Sequence, residues 1–145
     1  MVHSQTNRSI QTRHPPHAEE NLEQLIIIRE GQLTCTAGDR KTVLGAGSIL
    51  LIPPGEALSL VQTGNVPASY YMFSFRSRKP MDLERSKNAG WVLLINADTL
   101  VYTEKNERGT RKYFDRPTAM CGNFEMHTTT LNKKGPSHAP HQHVD

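Results

Sequence analysis

The sequence predicts an all-β fold, built as a sandwich or barrel of short strands. Apolar residues come in bursts of about four to eight, bounded by Gly, Pro, Asn and Asp, as in short strands joined by turns. Between residues 24 and 75 no segment has a convincing helical period. A chain of 145 residues is long enough for one domain with a core of ordinary size. We therefore expect antiparallel strands around one core.

The first half of the chain contains the predicted strands of this body. The first is rich in β-branched residues, and the second alternates Leu33, Cys35 and Ala37 with polar residues, which is typical of a half-buried strand. Gly-Asp and Pro-Pro-Gly signals separate later strands. The predicted strands cover residues 24–29, 32–37, 41–44, 48–52, 58–62 and 68–75.

The second half has a different character. Residues 79–90 are polar and include Pro80, while residues 90–95 form a short apolar strand, so this part is expected to be an arm that packs on the β-body. The segment 104–116 is highly charged and is predicted to be a loop. High β-propensity returns at residues 124–131, which are predicted to form a strand.

Composition excludes several classes of function. The net charge is +3, but the basic residues are scattered and no aromatic-basic platform is present, so nucleic acid is not an expected partner. The longest apolar stretches are too short to span a bilayer, and the N-terminus lacks an apolar run, so we expect no membrane contact and a cytoplasmic protein. Cys35 and Cys121 lack a short ligand spacing and are expected to be reduced, packed thiols.

The two ends of the chain resemble each other. Residues 2–17 align without a gap on residues 126–141, and five of sixteen positions are identical, three of them in a His-Pro cluster. We expect from this near-repeat that the chain is the first unit of a duplicated protein followed by the opening of the second unit.

Two blocks of the first unit carry acidic, Gly and Pro residues at regular landmarks. The first block begins at His17, continues through Glu19 and Glu23, and closes at Gly31. The second block runs from Gly47 through Pro53-Pro54-Gly55 to Leu58. These blocks resemble the two motifs of the cupins, which are double-stranded β-helix jelly rolls, and the spacing is kept at every landmark. The resemblance implies an all-β cupin jelly roll with a C-terminal extension.

A metal site is the function that this resemblance implies for the first unit. Side chains two residues apart on a strand share a face, so a His and carboxylates there could point into one barrel interior and bind Mn, Fe, Ni or Zn. His17, Glu19 and Glu23 are the candidate ligands, but Leu58 stands where the last His is expected. We therefore expect a degenerate site with no metal or a weakly held divalent ion. The alternative is that His17 and the acids are exposed at the barrel mouth or satisfied by hydrogen bonds.

The second unit carries a fuller set of imidazoles. His141 and His143 form a His-x-His pair, with His138 outside the ligand set, and they are candidate ligands of a partial second metal site. The alternative is a His-rich disordered tail. The segment 113–132 is similar to the inter-domain stretch of bacterial bicupins of the (S)-ureidoglycine aminohydrolase type, which implies Mn chemistry in a second cupin. The expected division is residues 1–78 (first cupin), 79–122 (arm) and 123–145 (opening of a second cupin).

Two hypotheses of function follow. In the first, the chain is a non-catalytic module with a dimerisation surface or a small-ligand cavity lined by residues such as Tyr70, Met72, Phe73 and Phe75, although alternation would leave half of these in packing roles. In the second, it belongs to a metal-dependent bicupin enzyme. No catalytic residue is assigned.

Two further features concern binding partners. Arg76, Arg78 and Lys79 form a basic cluster that could receive an anion, or they are simply a solvated strand end. A homodimer is expected, because the strand at 124–131 must pair its backbone with a sheet of the first cupin or with a neighbouring subunit that shares strands.

Overall fold

The computed structural model describes residues 2–6 and 13–135, with side chains for residue 16 and residues 18–135. The strands are β1 (Val2–Thr6), β2 (Arg13–Ala18), β3 (Glu23–Glu30), β4 (Gln32–Ala37), β5 (Arg40–Gly45), β6 (Ile49–Ile52), β7 (Ala57–Gln62), β8 (Ser69–Phe75), β9 (Leu93–Ile95), β10 (Thr103–Lys105), β11 (Arg108–Arg116) and β12 (Phe124–Leu131). One α-helix, α1 (Leu83–Asn88), and one 3-10 turn, Ala97–Thr99, complete the described elements.

The strands form three antiparallel sheets. A five-stranded sheet has the order β1-β8-β3-β6-β9, a four-stranded sheet has the order β2-β7-β4-β5, and a three-stranded sheet has the order β10-β11-β12. This confirms the predicted all-β jelly roll. It also confirms that residues 24–75 contain no helix.

The inner core lies between the five-stranded and four-stranded sheets. Alternate residues of each strand contribute to this core, because successive side chains on a strand point to opposite faces. We call the space between the two sheets the barrel interior. Its buried members are Ile26, Ile28, Leu33, Cys35, Ala37, Leu44, Leu50, Ile52, Leu58, Leu60, Ala68, Tyr70 and Val92, and Met72, Trp91 and Leu94 pack against them.

The opposite face of the five-stranded sheet is also covered. Leu25, Ile49 and Leu51 lie on this outer face and pack with Phe114 of β11. The ring of Phe124 meets those of Phe75 and Phe114 edge to face, with centroids 5.2 Å apart in both pairs. The central strands β3 and β6 are therefore buried on both sides, which explains why their sequences read as continuous apolar runs.

The arm contributes more regular structure than its sequence indicated. The predicted strand at 90–95 is confirmed as β9, which pairs with β6 at the edge of the five-stranded sheet. The prediction of a loop at 104–116 is wrong, because β10 and β11 form there and β11 pairs with β12 along its length. On β11 the charged side chains of Lys112 and Asp115 are exposed, whereas Phe114 is buried and Arg116 is half-buried.

The polar segment before β9 contains helix α1, which the sequence analysis did not predict. Asp82 is its N-cap, and the Asp82 side chain accepts from the backbone N–H of Arg85 at 2.9 Å. The helix has six residues. Lys87 and Glu84 form an ion pair on it at 2.9 Å, and Arg85 lies 4.0 Å from the carboxylate of Asp82. In the described part of the chain, no helix has the length and apolar character needed to cross a membrane.

Candidate functional site in the barrel interior

The candidate site is built from β2 and β7 of the four-stranded sheet and from β3 of the five-stranded sheet, on their sides that face the barrel interior. His17 on β2 is in register with Leu58 on β7, and His14 is in register with Leu60. The side chain of His17 lies outside the described ones. Glu19 follows β2 and is half-buried, and its carbonyl accepts from the backbone N–H of Gly55 at 2.9 Å.

Leu58 is part of the inner core and is 1% exposed. Its side chain has no atom that can bind a metal, and it occupies the position where the cupin pattern has an imidazole. Among the described residues, no group of three or more His, Cys, Asp or Glu side chains could hold a metal ion. The degenerate site stays a prediction for His17 and Glu19, because the side chain of His17 is not described. Glu23 does not share the barrel interior with them.

Glu23 lies on the outer face of the five-stranded sheet, on the same side as Leu25. Its Oε2 accepts from Oγ1 of Thr118 at 2.8 Å and from the backbone N–H of Met120 at 3.1 Å. Burial raises the pKa of the Glu23 carboxyl, and these hydrogen bonds and the nearby Arg116 only partly oppose that effect. Glu23 thus anchors the loop between β11 and β12 to the jelly roll, a role that the sequence analysis did not predict.

Gln24, and not Glu23, is the residue of this pair that faces the barrel interior. It shares the face of Ile26 and Ile28, and it is in register with Ile52 on one side and Ser74 on the other. Gln24 is 6% exposed. Among the described side chains its amide makes one hydrogen bond, from Nε2 to Sδ of Met72 at 3.3 Å. Thioether sulfur is a weak acceptor, so this bond satisfies little of the amide.

Gln24 lies two residues before Ile26 and four before Ile28, so the alternation of side chains along a strand predicts that all three face the same side. The same alternation separates the four residues proposed to line a cavity. Tyr70 and Met72 face the barrel interior, whereas Phe73 and Phe75 lie on the outer face with Leu25.

Trp91 closes part of the barrel interior from the side of the arm. Its ring packs against the inner core, and Nε1 donates to Oε2 of Glu56 at 2.7 Å. The Trp91 backbone has a φ of 54°, a left-handed conformation that is unusual for a bulky residue. Arg116 at the end of β11 donates from Nη2 to the Trp91 carbonyl. Trp91 therefore contacts the jelly roll through its ring and the third sheet through its backbone.

Two surface grooves lie outside the barrel. One has a volume of about 590 Å³ between α1 and the end of β11, and Arg85 and Arg116 lie in its wall. The other is about 250 Å³ and includes Arg76 and Lys79, two members of the predicted basic cluster. The Nε of Arg76 donates to the carbonyl of Asn21 at 2.9 Å, so this guanidinium is partly engaged by the protein itself.

Neither cysteine has the environment of a nucleophile. Cys35 is fully buried in the inner core, and burial raises the pKa of its thiol to about 12. Burial also raises the pKa of the Cys121 thiol, and the charge of Glu23 adds to the effect. Both are free thiols.

The candidate ligands His141 and His143, and the neighbouring His138, lie outside the described residues.

Comparisons with known proteins agree with this architecture. A family model described as the AraC-like ligand binding domain matches residues 4–87. Among the curated proteins, no sequence matches the chain at a significant level.

The solved structures that are similar to the chain include two bacterial proteins. One is the protein Ylba from E. coli, of the family DUF861, with a TM-score of 0.51 and 14% identity; the match covers 77% of this chain and 55% of that chain. The other is a Pseudomonas aeruginosa protein described as glyoxylate-induced, with a TM-score of 0.55 and 13% identity, covering 79% of this chain and 49% of that one. The chain thus spans about half the length of these two proteins.

At such identities the two structures show the fold alone, which is the cupin-like jelly roll. The family model goes further, because it covers more than half of the chain. The protein belongs to the family of AraC-like ligand-binding domains.

Proposed function

We propose that this protein is a non-catalytic module that binds a small molecule in the barrel interior without using a metal. The observation that carries the proposal is a pair of inward-facing residues, Gln24 on β3 and Leu58 on β7, one on each of the two sheets. Gln24 offers an incompletely satisfied amide there, and Leu58 offers an apolar wall. The family match supports a ligand-binding role.

The charges of the site favour an uncharged ligand. Among the described residues, Glu23 is the only buried one of the Asp, Glu, Lys and Arg types, and it lies on the other side of the five-stranded sheet. An ion held in the interior would lose its hydration without meeting a fully buried counter-ion among the described residues there, which is costly. A neutral molecule with one or two hydrogen-bonding groups could instead bond to the Gln24 amide and pack on Met72 and Leu58.

The fluorescence of Trp91 can be used to measure this binding. It is the only tryptophan in the sequence and it packs against the inner core, so a ligand that enters is expected to change its fluorescence. We expect saturable changes from one class in a panel of polyols, monosaccharides and primary carboxamides. Replacing Gln24 by leucine should weaken this binding about tenfold or more, because the hydrogen bond to the ligand is lost.

The matched control is Gln32→Leu, since Gln32 is an exposed residue at the start of β4. This control should leave the affinity unchanged. Equal affinities of the wild type and Gln24→Leu for the ligand would contradict the role of Gln24. A fluorescence response that never saturates with any member of the panel would count against binding of that panel in the barrel interior.

The proposal that no metal is needed can be tested separately. We expect the protein purified without chelator to contain far less than one Mn, Fe, Ni or Zn per chain by elemental analysis. The double variant Gln24→Glu/Leu58→His places a carboxylate and an imidazole at the two inward-facing positions. It should gain a thermal shift on addition of Mn²⁺ or Ni²⁺ that the wild type lacks. A stoichiometric, tightly held metal in the wild type would overturn the proposal.

A metal-dependent bicupin enzyme is the second candidate. Its support is the near-repeat of residues 2–17 at residues 126–141, together with the fact that the chain spans about half of two similar structures. In such an enzyme, His141 and His143 would supply two ligands of a Mn-type centre in a second barrel. Reading the gene beyond the codon for Asp145 tests it: a nearby Glu codon and a later Pro-x-Gly-x-x-His block are expected.

A further inference from the structure

Strand β12 presents a long backbone edge. It pairs with β11 on one side, and among the described residues no strand pairs with its other side. It extends over eight residues, from Phe124 to Leu131. Alternate N–H and C=O groups of an edge strand point away from the sheet and can pair with another strand.

The other described edge strands have features that discourage pairing with a strand of another chain, and β12 lacks these features. The strands β9 and β10 have three residues each. Strand β2 carries two prolines and an irregular register, and β5 begins with two basic residues. Strand β1 has five residues. By contrast, β12 has no Pro, Gly, Lys or Arg, and three consecutive threonines give it high β-propensity.

We propose that this edge is a dimer interface, at which β12 of one copy pairs with β12 of a second copy in antiparallel orientation about a two-fold axis at Met126. The three-stranded sheets of the two copies would then form one continuous six-stranded sheet. A two-fold axis makes such a contact self-complementary and closed, so the assembly stops at two copies.

Side-chain complementarity favours this register. With the axis at Met126, Glu125 of each copy lies opposite His127 of the other, and the carboxylate can accept a hydrogen bond from the imidazole N–H. An axis at Glu125 would instead place two carboxylates opposite each other, and like charges directly opposite in a sheet are destabilising. The side chains of Glu125 and His127 are 47% and 57% exposed, and within one chain they lie 3.4 Å apart. Both are thus accessible to a second copy.

The face of β12 that packs on the body also suits this arrangement. Phe124 and Met126 pack in the outer cluster with Phe114, which fixes the orientation of β12 before any partner arrives. An edge held in place by packing loses little further entropy on pairing.

The full chain tests the proposal by light scattering and sedimentation over a range of concentrations. We expect a monomer–dimer equilibrium. His127→Glu places a carboxylate opposite Glu125 twice in each dimer, and it should raise the dimer dissociation constant about tenfold. The double variant Glu125→His/His127→Glu exchanges the two side chains and should restore the wild-type constant.

Glu104→Lys on the β10 edge is the matched control, because this exposed residue belongs to the same sheet but lies outside the proposed interface. It should leave the dissociation constant unchanged. Circular dichroism establishes that all variants are folded. A chain that stays monomeric at every concentration would overturn the proposal, as would a dimer whose dissociation constant is unaffected by His127→Glu.

Discussion

Replacing Glu23 by alanine is expected to lower the free energy of unfolding by about 3 kcal/mol or more. The Glu23 side chain is 1% exposed, and it accepts hydrogen bonds from Thr118 and Met120. Removing the carboxyl leaves both donors buried without a partner and opens a cavity between the five-stranded sheet and the loop that precedes β12. Denaturant unfolding followed by far-UV circular dichroism measures the difference.

Glu23→Gln is the comparison that separates hydrogen bonding from charge. Glutamine keeps an oxygen that can accept from Thr118 and Met120, and its neutral amide has a smaller desolvation cost than a carboxylate. At neutral pH we therefore expect Glu23→Gln to be clearly more stable than Glu23→Ala. Equal losses for the two variants would show that the hydrogen bonds at Oε2 contribute little.

The pH dependence of Glu23 has a definite sign. Because the pKa of this carboxyl is raised in the folded protein, the folded state binds its proton more tightly than the unfolded chain does. The resulting stabilisation is present below the unfolded value near 4.5 and is lost as the pH rises through the folded pKa. In the Glu23→Gln variant, the glutamine side chain cannot titrate.

The stability of the wild type relative to Glu23→Gln should therefore fall as the pH rises from about 4 to 7. The measurement is the difference in unfolding free energy between the two proteins at several pH values. A difference that does not change with pH would contradict a titrating carboxyl at this buried position.

Gly31→Ala is expected to cost about 2–3 kcal/mol of stability. Gly31 joins β3 to β4 with a φ of 74°, which an L-residue rarely adopts. A Cβ there would lie 2.7 Å from the carbonyl oxygen of Pro67 and 2.8 Å from Cα of Ala68. Both are backbone atoms, so the clash cannot be relieved by a side-chain rotation. Thermal and denaturant unfolding measure the loss.

Gly45→Ala is the matched control for this prediction. A Cβ at Gly45 would have no neighbour within 4 Å, and this residue is not among the positive-φ glycines. We expect its stability to be unchanged or slightly increased, because alanine reduces the freedom of the unfolded chain. A loss at Gly45 as large as that at Gly31 would show that the close approach of Pro67 is not the cause.

The cupin-like body was predictable because its signals are local. Turn residues end each strand, and the alternation in β4 correctly identifies Leu33, Cys35 and Ala37 as inward-facing. The continuous apolar runs of β3 and β6 also indicated that these strands are buried on both faces, since such strands lack the usual alternation. They did not reveal that β11 and β12 supply the covering layer.

The candidate site was predicted only in part. The sequence pointed to Glu23, whereas the next residue, Gln24, is the one that faces the barrel interior. Glu23 and Gln24 are both polar, and only the assembled sheets show that Gln24 faces the barrel interior while Glu23 faces the outer layer. A shift of one residue on a strand changes the face completely. The charged segment at 104–116 was misjudged for a related reason. A strand that lies in an outer sheet needs few apolar residues, so its composition resembles that of a loop.

The sequence by itself determined the fold class, eight of the twelve described strands and the apolar replacement at Leu58, because each depends on residues close together in the chain. Tertiary structure alone decided which faces are buried and which residues meet. Thr118 and Met120 lie 95 and 97 residues after Glu23, yet they donate to its carboxyl. Such pairs have no local pattern, because their contact exists only after the third sheet has packed on the jelly roll.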